Sequence, residues 1–243
     1  MDIVRFTGNR DRYLPELSAK IPDILEQAFI NCGHERIWQE KRFPDKPGDG
    51  YVFGTAPEHL PFLIYPFLDS LQATLADSAP ALRSSDRTLN MRLRASINLG
   101  PVPDQGDPAR DRIAKATNDA FRLLDSEQLR QTMADTDADV TFVGAIVSQR
   151  VFQDAVVGGY TGIHESQFRR VTAEVPGKGF REEAWIYVPC LTFRDAASQP
   201  ADAASQTPEG HARHERGSPV FNKKVEQAFT DGTFHGDFHF KGR

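Results

Sequence analysis

Cysteine is scarce: Cys32 and Cys190 are the only two in 243 residues. Two thiols cannot build a disulfide scaffold or an all-cysteine zinc site, so they read as ordinary buried thiols in a reducing compartment. Long apolar runs are also missing. The longest, residues 60–68, is broken by Pro61 and Pro66 and falls far short of the roughly 20 apolar residues a membrane span needs. Positive charge is not in excess, because 29 Lys and Arg against 34 Asp and Glu give a net charge of −5. That balance excludes a chain built to coat nucleic acid or an anionic membrane. With an acid at position 2 and no apolar stretch behind it, no secretory leader is expected at Met1. No internal repeat of solenoid length is present. The expectation is a cytoplasmic protein.

What is present is a hydrophobic fraction of 39% with 17 Phe, enough for a sizeable core. Leu17, Ile21, Ile24, Leu25 and Ala28 recur at helical spacing. Strands are expected over 36–43 and 51–55, joined by the Pro- and Gly-rich turn 44–50 as a hairpin. A helix is expected over 58–76 with a kink at Pro66. Met91, Leu93, Ala95, Ile97 and Leu99 alternate as in a strand. Helices should follow over 109–124 and 127–133, then a strand buried on both faces over 140–147 and a short helix capped by Ser148. A second hairpin, 168–175 with 183–188, closes the folded region, and Trp38 and Trp185 read as core residues on strands. Hairpins alternating with helices predict an α+β or mixed-sheet sandwich, not a doubly wound parallel sheet. The domain is expected to span 1–193. Residues 194–219, rich in Ala, Ser, Gln and Pro, read as a linker, and the Phe-rich residues 220–243 read as a β-prone motif for docking a protein partner.

Two carboxylates stand out by position. Asp2 belongs to the first strand and Asp49 to the turn of the first hairpin, so neighbouring strands would bring both to one sheet edge. Such a pair can hold Mg²⁺ ions against a nucleoside triphosphate. Taken alone, an Asp between two glycines is ordinary turn chemistry.

Further segments stand in a telling order. Asp2-Ile3-Val4-Arg5-Phe6-Thr7 precedes a helix, and Gly48-Asp49-Gly50 occupies the hairpin turn. Ile97-Asn98-Leu99-Gly100-Pro101 ends a strand, and Asp111 lies seven residues before Asn118-Asp119-Ala120-Phe121-Arg122-Leu123. Lys178-Gly179 sits in the last hairpin turn. Over about residues 1–190 this set resembles the catalytic domain of class III nucleotidyl cyclases, including the cyclase-homology proteins of actinobacteria. The resemblance implies a ferredoxin-like, palm-type α+β mixed sheet with helices packed on it, and conversion of a nucleoside triphosphate to a 3′,5′-cyclic nucleotide and pyrophosphate in bacterial signalling. It implies two Mg²⁺ or Mn²⁺ ions held by Asp2, Asp49 and the backbone carbonyl of Ile3. Phe6, Thr7, Asp45, Asp111 and Lys178 become the nucleotide-binding residues, with Lys178 on the triphosphate and Asp111 on the base. Asn118 would orient the ribose and Arg122 stabilise the α-phosphoryl charge, a task suited to a guanidinium fork. Both would come from the opposite protomer of a head-to-tail homodimer.

The chain also departs from the family. Asp45 replaces the usual base-reading Lys, which favours hydrogen-bond donors of guanine or cytosine over N1 of adenine. Ile113-Ala114 replaces an aromatic-Gly pair, and only Met1 precedes Asp2, so the first strand is expected to be short. The competing reading is a non-catalytic cyclase-fold scaffold that docks a signalling partner through its C-terminal motif, which is similar to short β-forming motifs of bacterial signalling proteins.

Overall fold

The computed structural model describes residues 1–103, 106–111 and 113–193. The segments assigned above to the linker and the Phe-rich motif, 194–219 and 220–243, lie outside the described residues. The first strand described is β1 (Asp2–Ile3), two residues long. A left-handed residue, Arg5 at φ 51°, and a 3₁₀ turn over Phe6–Gly8 lead toward α1 (Leu14–Asn31). The periodic apolar residues of α1 are buried along one side.

Residues 36–39 are helical rather than extended: they belong to α2 (Glu35–Gln39). The cause is local. Arg36 pairs with Glu40 at 2.6 Å and Gln39 donates to Glu35 at 2.7 Å, each one helical turn apart. Trp38 is therefore core, as expected, but from a helix and not a strand. The hairpin that follows is shorter than the sequence predicts, with β2 (Arg42–Asp45) antiparallel to β3 (Val52–Gly54). The single helix expected over 58–76 is two, α3 (Leu60–Ile64) and α4 (Phe67–Ser85). Tyr65, directly before Pro66, is extended at φ −141° and ψ 130°, because a residue before proline is pushed out of the helical region.

Next come β4 (Leu93–Ile97), α5 (Pro108–Asp111) and α6 (Lys115–Leu124). The expected helix over 109–124 is interrupted by Ala114, extended at φ −139° and ψ 157°. Then follow α7 (Glu127–Asp135), β5 (Val143–Ser148), α8 (Gln149–Val151) with a π turn behind it, β6 (Arg169–Val175) and β7 (Phe180–Tyr187). Ser148 caps α8 as predicted, accepting from the Val151 amide.

The result is a mixed α/β fold around a five-stranded mixed sheet in the order β1-β4-β5-β7-β6. Only β4 and β5 run parallel; the other pairs are antiparallel. Leu93, Ala95 and Ile97 of β4 and Val143, Ala145 and Val147 of β5 join α1 and α4 in one core. Ile146, Ala184 and Ile186 turn to the opposite face, where Leu123, Leu124 and Leu129 of α6 and α7 cover them. All six residues of β5 are buried, which explains its unbroken apolar run. At the far margin, α7 packs along β6: the Glu174 amide donates to Gln128 Oε1 at 2.9 Å, and Arg169 donates to Thr132 Oγ1.

Candidate functional site

The acidic edge is built by backbone pairing. Asp2 bridges Gly50, the Ile3 amide donates to the Asp49 carbonyl at 3.2 Å, and the Tyr51 amide donates to the Met1 carbonyl at 2.9 Å. A residue's N–H and C=O point the same way in a strand, so the Ile3 carbonyl faces the Asp49 turn. Gly48, at φ 60°, supplies the left-handed residue the turn requires. Ser18 of α1 ties the turn down by donating to the Gly48 carbonyl at 2.9 Å. Asp2 and Ile3, 47 and 46 positions before Asp49, are thus brought beside it.

Asp2 does not stand open. It lies opposite Arg94 in the β1–β4 register, and Arg94 grips both carboxylate oxygens, Nε to Oδ1 at 2.9 Å and Nη2 to Oδ2 at 2.5 Å. Both side chains are largely buried, 16% and 12% exposed. Burial raises the Asp2 carboxyl above the ordinary carboxylate range, with the Arg94 hydrogen bonds and charge pulling the other way and Asp49 adding to the rise. Sequence reasoning missed Arg94. The only signal for it was its place in the alternation of β4, an Arg between apolar neighbours.

Phe6 packs partly against the core while Thr7 is exposed. Their turn is fastened by Asn9, which donates to the Phe6 carbonyl at 3.3 Å and accepts from the Asn90 amide at 3.2 Å. Asp45 lies on β2, and α5, which carries Asp111, packs against that strand. Asp111 is buried, and its Oδ2 accepts from the amides of Gly106 at 3.0 Å and Asp107 at 3.2 Å. It therefore closes its own loop, a task the sequence did not assign to it.

Asn118 and Arg122 share the exposed face of α6 with Lys115. Lys115 Nζ donates to Asp119 Oδ2 at 2.5 Å, and Arg122 lies 3.8 Å from Asp119 Oδ1 with its guanidinium over the Phe180 ring. Lys178, in the β6–β7 turn, reaches Asp125 at the end of α6 at 3.5 Å. This basic cluster gathers beside β7, whereas Asp2 sits on β1. Three strand spacings separate those strands, about 14 Å.

Between the β2–β3 hairpin, the end of β4 and the start of α6 lies a cavity of about 610 Å³. Phe43, Tyr51, Phe53 and Phe121 give it flat apolar walls; Asn98 and Thr117 give it polar ones. Asn98 is held by its donation to the Ala116 carbonyl at 2.8 Å. Gly100 lets α6 close on the strand end, since a Cβ there would stand 2.8 Å from that of Ala116. The volume lies within the range of small-molecule pockets.

Carboxylate and carbonyl oxygens are the right chemistry for Mg²⁺ or Mn²⁺. Among the described residues, however, no group of three or more His, Cys, Asp and Glu is placed to hold a metal ion. Both oxygens of Asp2 are engaged by a cation already. With Arg94 where it is, a divalent ion at Asp2 would have to displace the guanidinium or share the carboxylate with it, while Asp49 and the Ile3 carbonyl would complete its oxygen ligands. Compared with family models, curated proteins and solved structures, the chain matches none of them.

Proposed function

We propose that the chain is a class III-like nucleotidyl cyclase domain that acts as a head-to-tail homodimer on a nucleoside triphosphate. The observation that carries this reading is the division of the site residues into two groups on different parts of one sheet. Asp2, the Ile3 carbonyl and Asp49 converge at the β1 margin, whereas Asn118 and Arg122 lie on the exposed face of α6 and Lys178 in the β6–β7 turn. A second protomer, turned end for end, would set the basic group of one chain against the acidic group of the other.

The reaction forms a bond from the ribose 3′-oxygen, which loses its proton, to the α-phosphorus, and breaks the bond to pyrophosphate. Arg122 offers a guanidinium fork for charge growing on the α-phosphoryl oxygens. Asn118, one turn away on the same exposed face, would hold the ribose, and Lys178 the leaving phosphates. The aromatic walls of the cavity give a base a stacking surface. In this reading Asp45 and the loop held by Asp111 border the base. The cation requirement assigned to Mg²⁺ or Mn²⁺ belongs to the proposal as a whole.

The second reading is a cyclase-fold scaffold without turnover, and the Asp2–Arg94 pair favours it. Incubating the protein with each of the four ribonucleoside triphosphates and Mn²⁺, and separating the products by chromatography, decides between them. The cyclase reading expects a cyclic monophosphate from at least one. A folded protein that makes none from any of the four is the scaffold. No described helix is long and apolar enough to cross a membrane.

A further inference from the structure

We propose that Arg94 is the resident counter-cation of Asp2 and competes with divalent metal for it, so that metal enters only as Arg94 lets go. The inference deepens the cyclase reading and rests on its assignment of Asp2 and Asp49 to metal.

The pairing is built into the strand register rather than left to a surface encounter. Asp2 and Arg94 are direct partners across the antiparallel β1–β4 pair, so their side chains rise from the same sheet face. The contact is bidentate, at 2.9 and 2.5 Å, and both side chains are largely withdrawn from water. A planar fork of this kind matches a carboxylate in shape as well as charge, and shielding from solvent strengthens it. The other arginine on this side of the strand, Arg92, cannot substitute. Its guanidinium is buried and donates to the carbonyls of Thr141 and Met133 and to Thr136 Oγ1.

The consequence for a metal follows from charge. Asp49 is held beside Asp2 by the Ile3 amide and the Asp2–Gly50 bridge. Without Arg94 the margin would present two neighbouring carboxylates, partly shielded from water, to any cation. With Arg94 in place one of those charges is already neutralised, and an arriving ion meets a guanidinium at hydrogen-bond distance from its ligand. Mg²⁺ demands near-octahedral geometry and gives up water reluctantly, so it tolerates a blocked oxygen poorly.

The test measures Mn²⁺ binding to the full chain without nucleotide, by electron paramagnetic resonance titration of free Mn²⁺. Arg94→Gln should bind Mn²⁺ tighter than the natural chain by roughly tenfold or more. Adding Asp49→Asn to that variant should remove the gain. Arg94→Lys keeps the charge but loses the fork, and should give a smaller gain in the same direction; it serves if Arg94→Gln does not fold. Mn²⁺ affinity unchanged or weakened in the folded variants overturns the proposal. Cyclic product from the natural chain together with unchanged Mn²⁺ affinity in Arg94→Gln overturns the competition and leaves the cyclase reading standing. Tighter Mn²⁺ binding with no cyclic product from any triphosphate upholds the competition and overturns the cyclase reading.

Discussion

Ser18, buried on α1, donates its hydroxyl to the carbonyl of Gly48, 30 positions away, and so fixes the turn that presents Asp49. Removing that hydroxyl leaves Gly48 to solvent alone. Ser18→Ala should lower stability by about 1 kcal/mol, the net worth of one such bond. In urea the midpoint should fall while the slope stays constant. An unshifted midpoint would mean that the β1 pairing alone holds the turn.

Complementation tests the division of the site between protomers. Asp49→Asn and Arg122→Ala should each cost about 100-fold or more in turnover, as losses of transition-state charge contacts do. Mixing the two inactive proteins rebuilds one intact site in each heterodimer. Free exchange makes about half the dimers mixed, so activity should return to roughly a quarter of the natural level. No recovery despite demonstrated subunit exchange would place both residues in the same protomer's site.

A third prediction concerns Asp69, whose Oδ1 accepts from the Tyr187 hydroxyl at 2.6 Å. Burial raises the Asp69 carboxyl above its ordinary range, and the Tyr187 hydrogen bond only partly opposes this. The folded chain thus holds the Asp69 proton more tightly than the unfolded chain, so this group's contribution to stability is lost as pH rises through its folded pKa. Asp69→Asn keeps an acceptor for Tyr187 and removes the charge. Its stability relative to the natural chain should be higher at pH 7 than at about pH 4, read from denaturation midpoints. An advantage that does not change with pH would refute the assignment.

Much of the architecture is written in local pattern. The buried run of β5, the Ser148 cap and the apolar stripe of α1 follow from residues close in sequence. The convergence of Asp2 on the Asp49 turn was also legible, because a hairpin turn fixes where its residues lie relative to a neighbouring strand. The misreadings arose where alternatives compete locally. Residues 36–39 carry adjacent apolar side chains that suit a strand, while the Arg36–Glu40 and Glu35–Gln39 pairs favour the helix that forms. The Arg94 grip on Asp2 was not legible, since it depends on the register of two strands 92 positions apart. The position of Asp111 marks it as a base-contacting acid; that it is also buried and accepts from its own loop amides depends on how α5 folds back on β2.

The fastening of β6 to α7 bears on how this sheet margin meets other chains. An outermost strand normally offers a row of unpaired amides and carbonyls that another chain can extend. Here Gln128 fills the Glu174 amide position and Thr132 anchors Arg169, while Arg170 and Glu183 place charge on the same ribbon. A helix side chain stands where a sixth strand would begin. Strand addition therefore lacks a clean template along the β6 margin of the described residues.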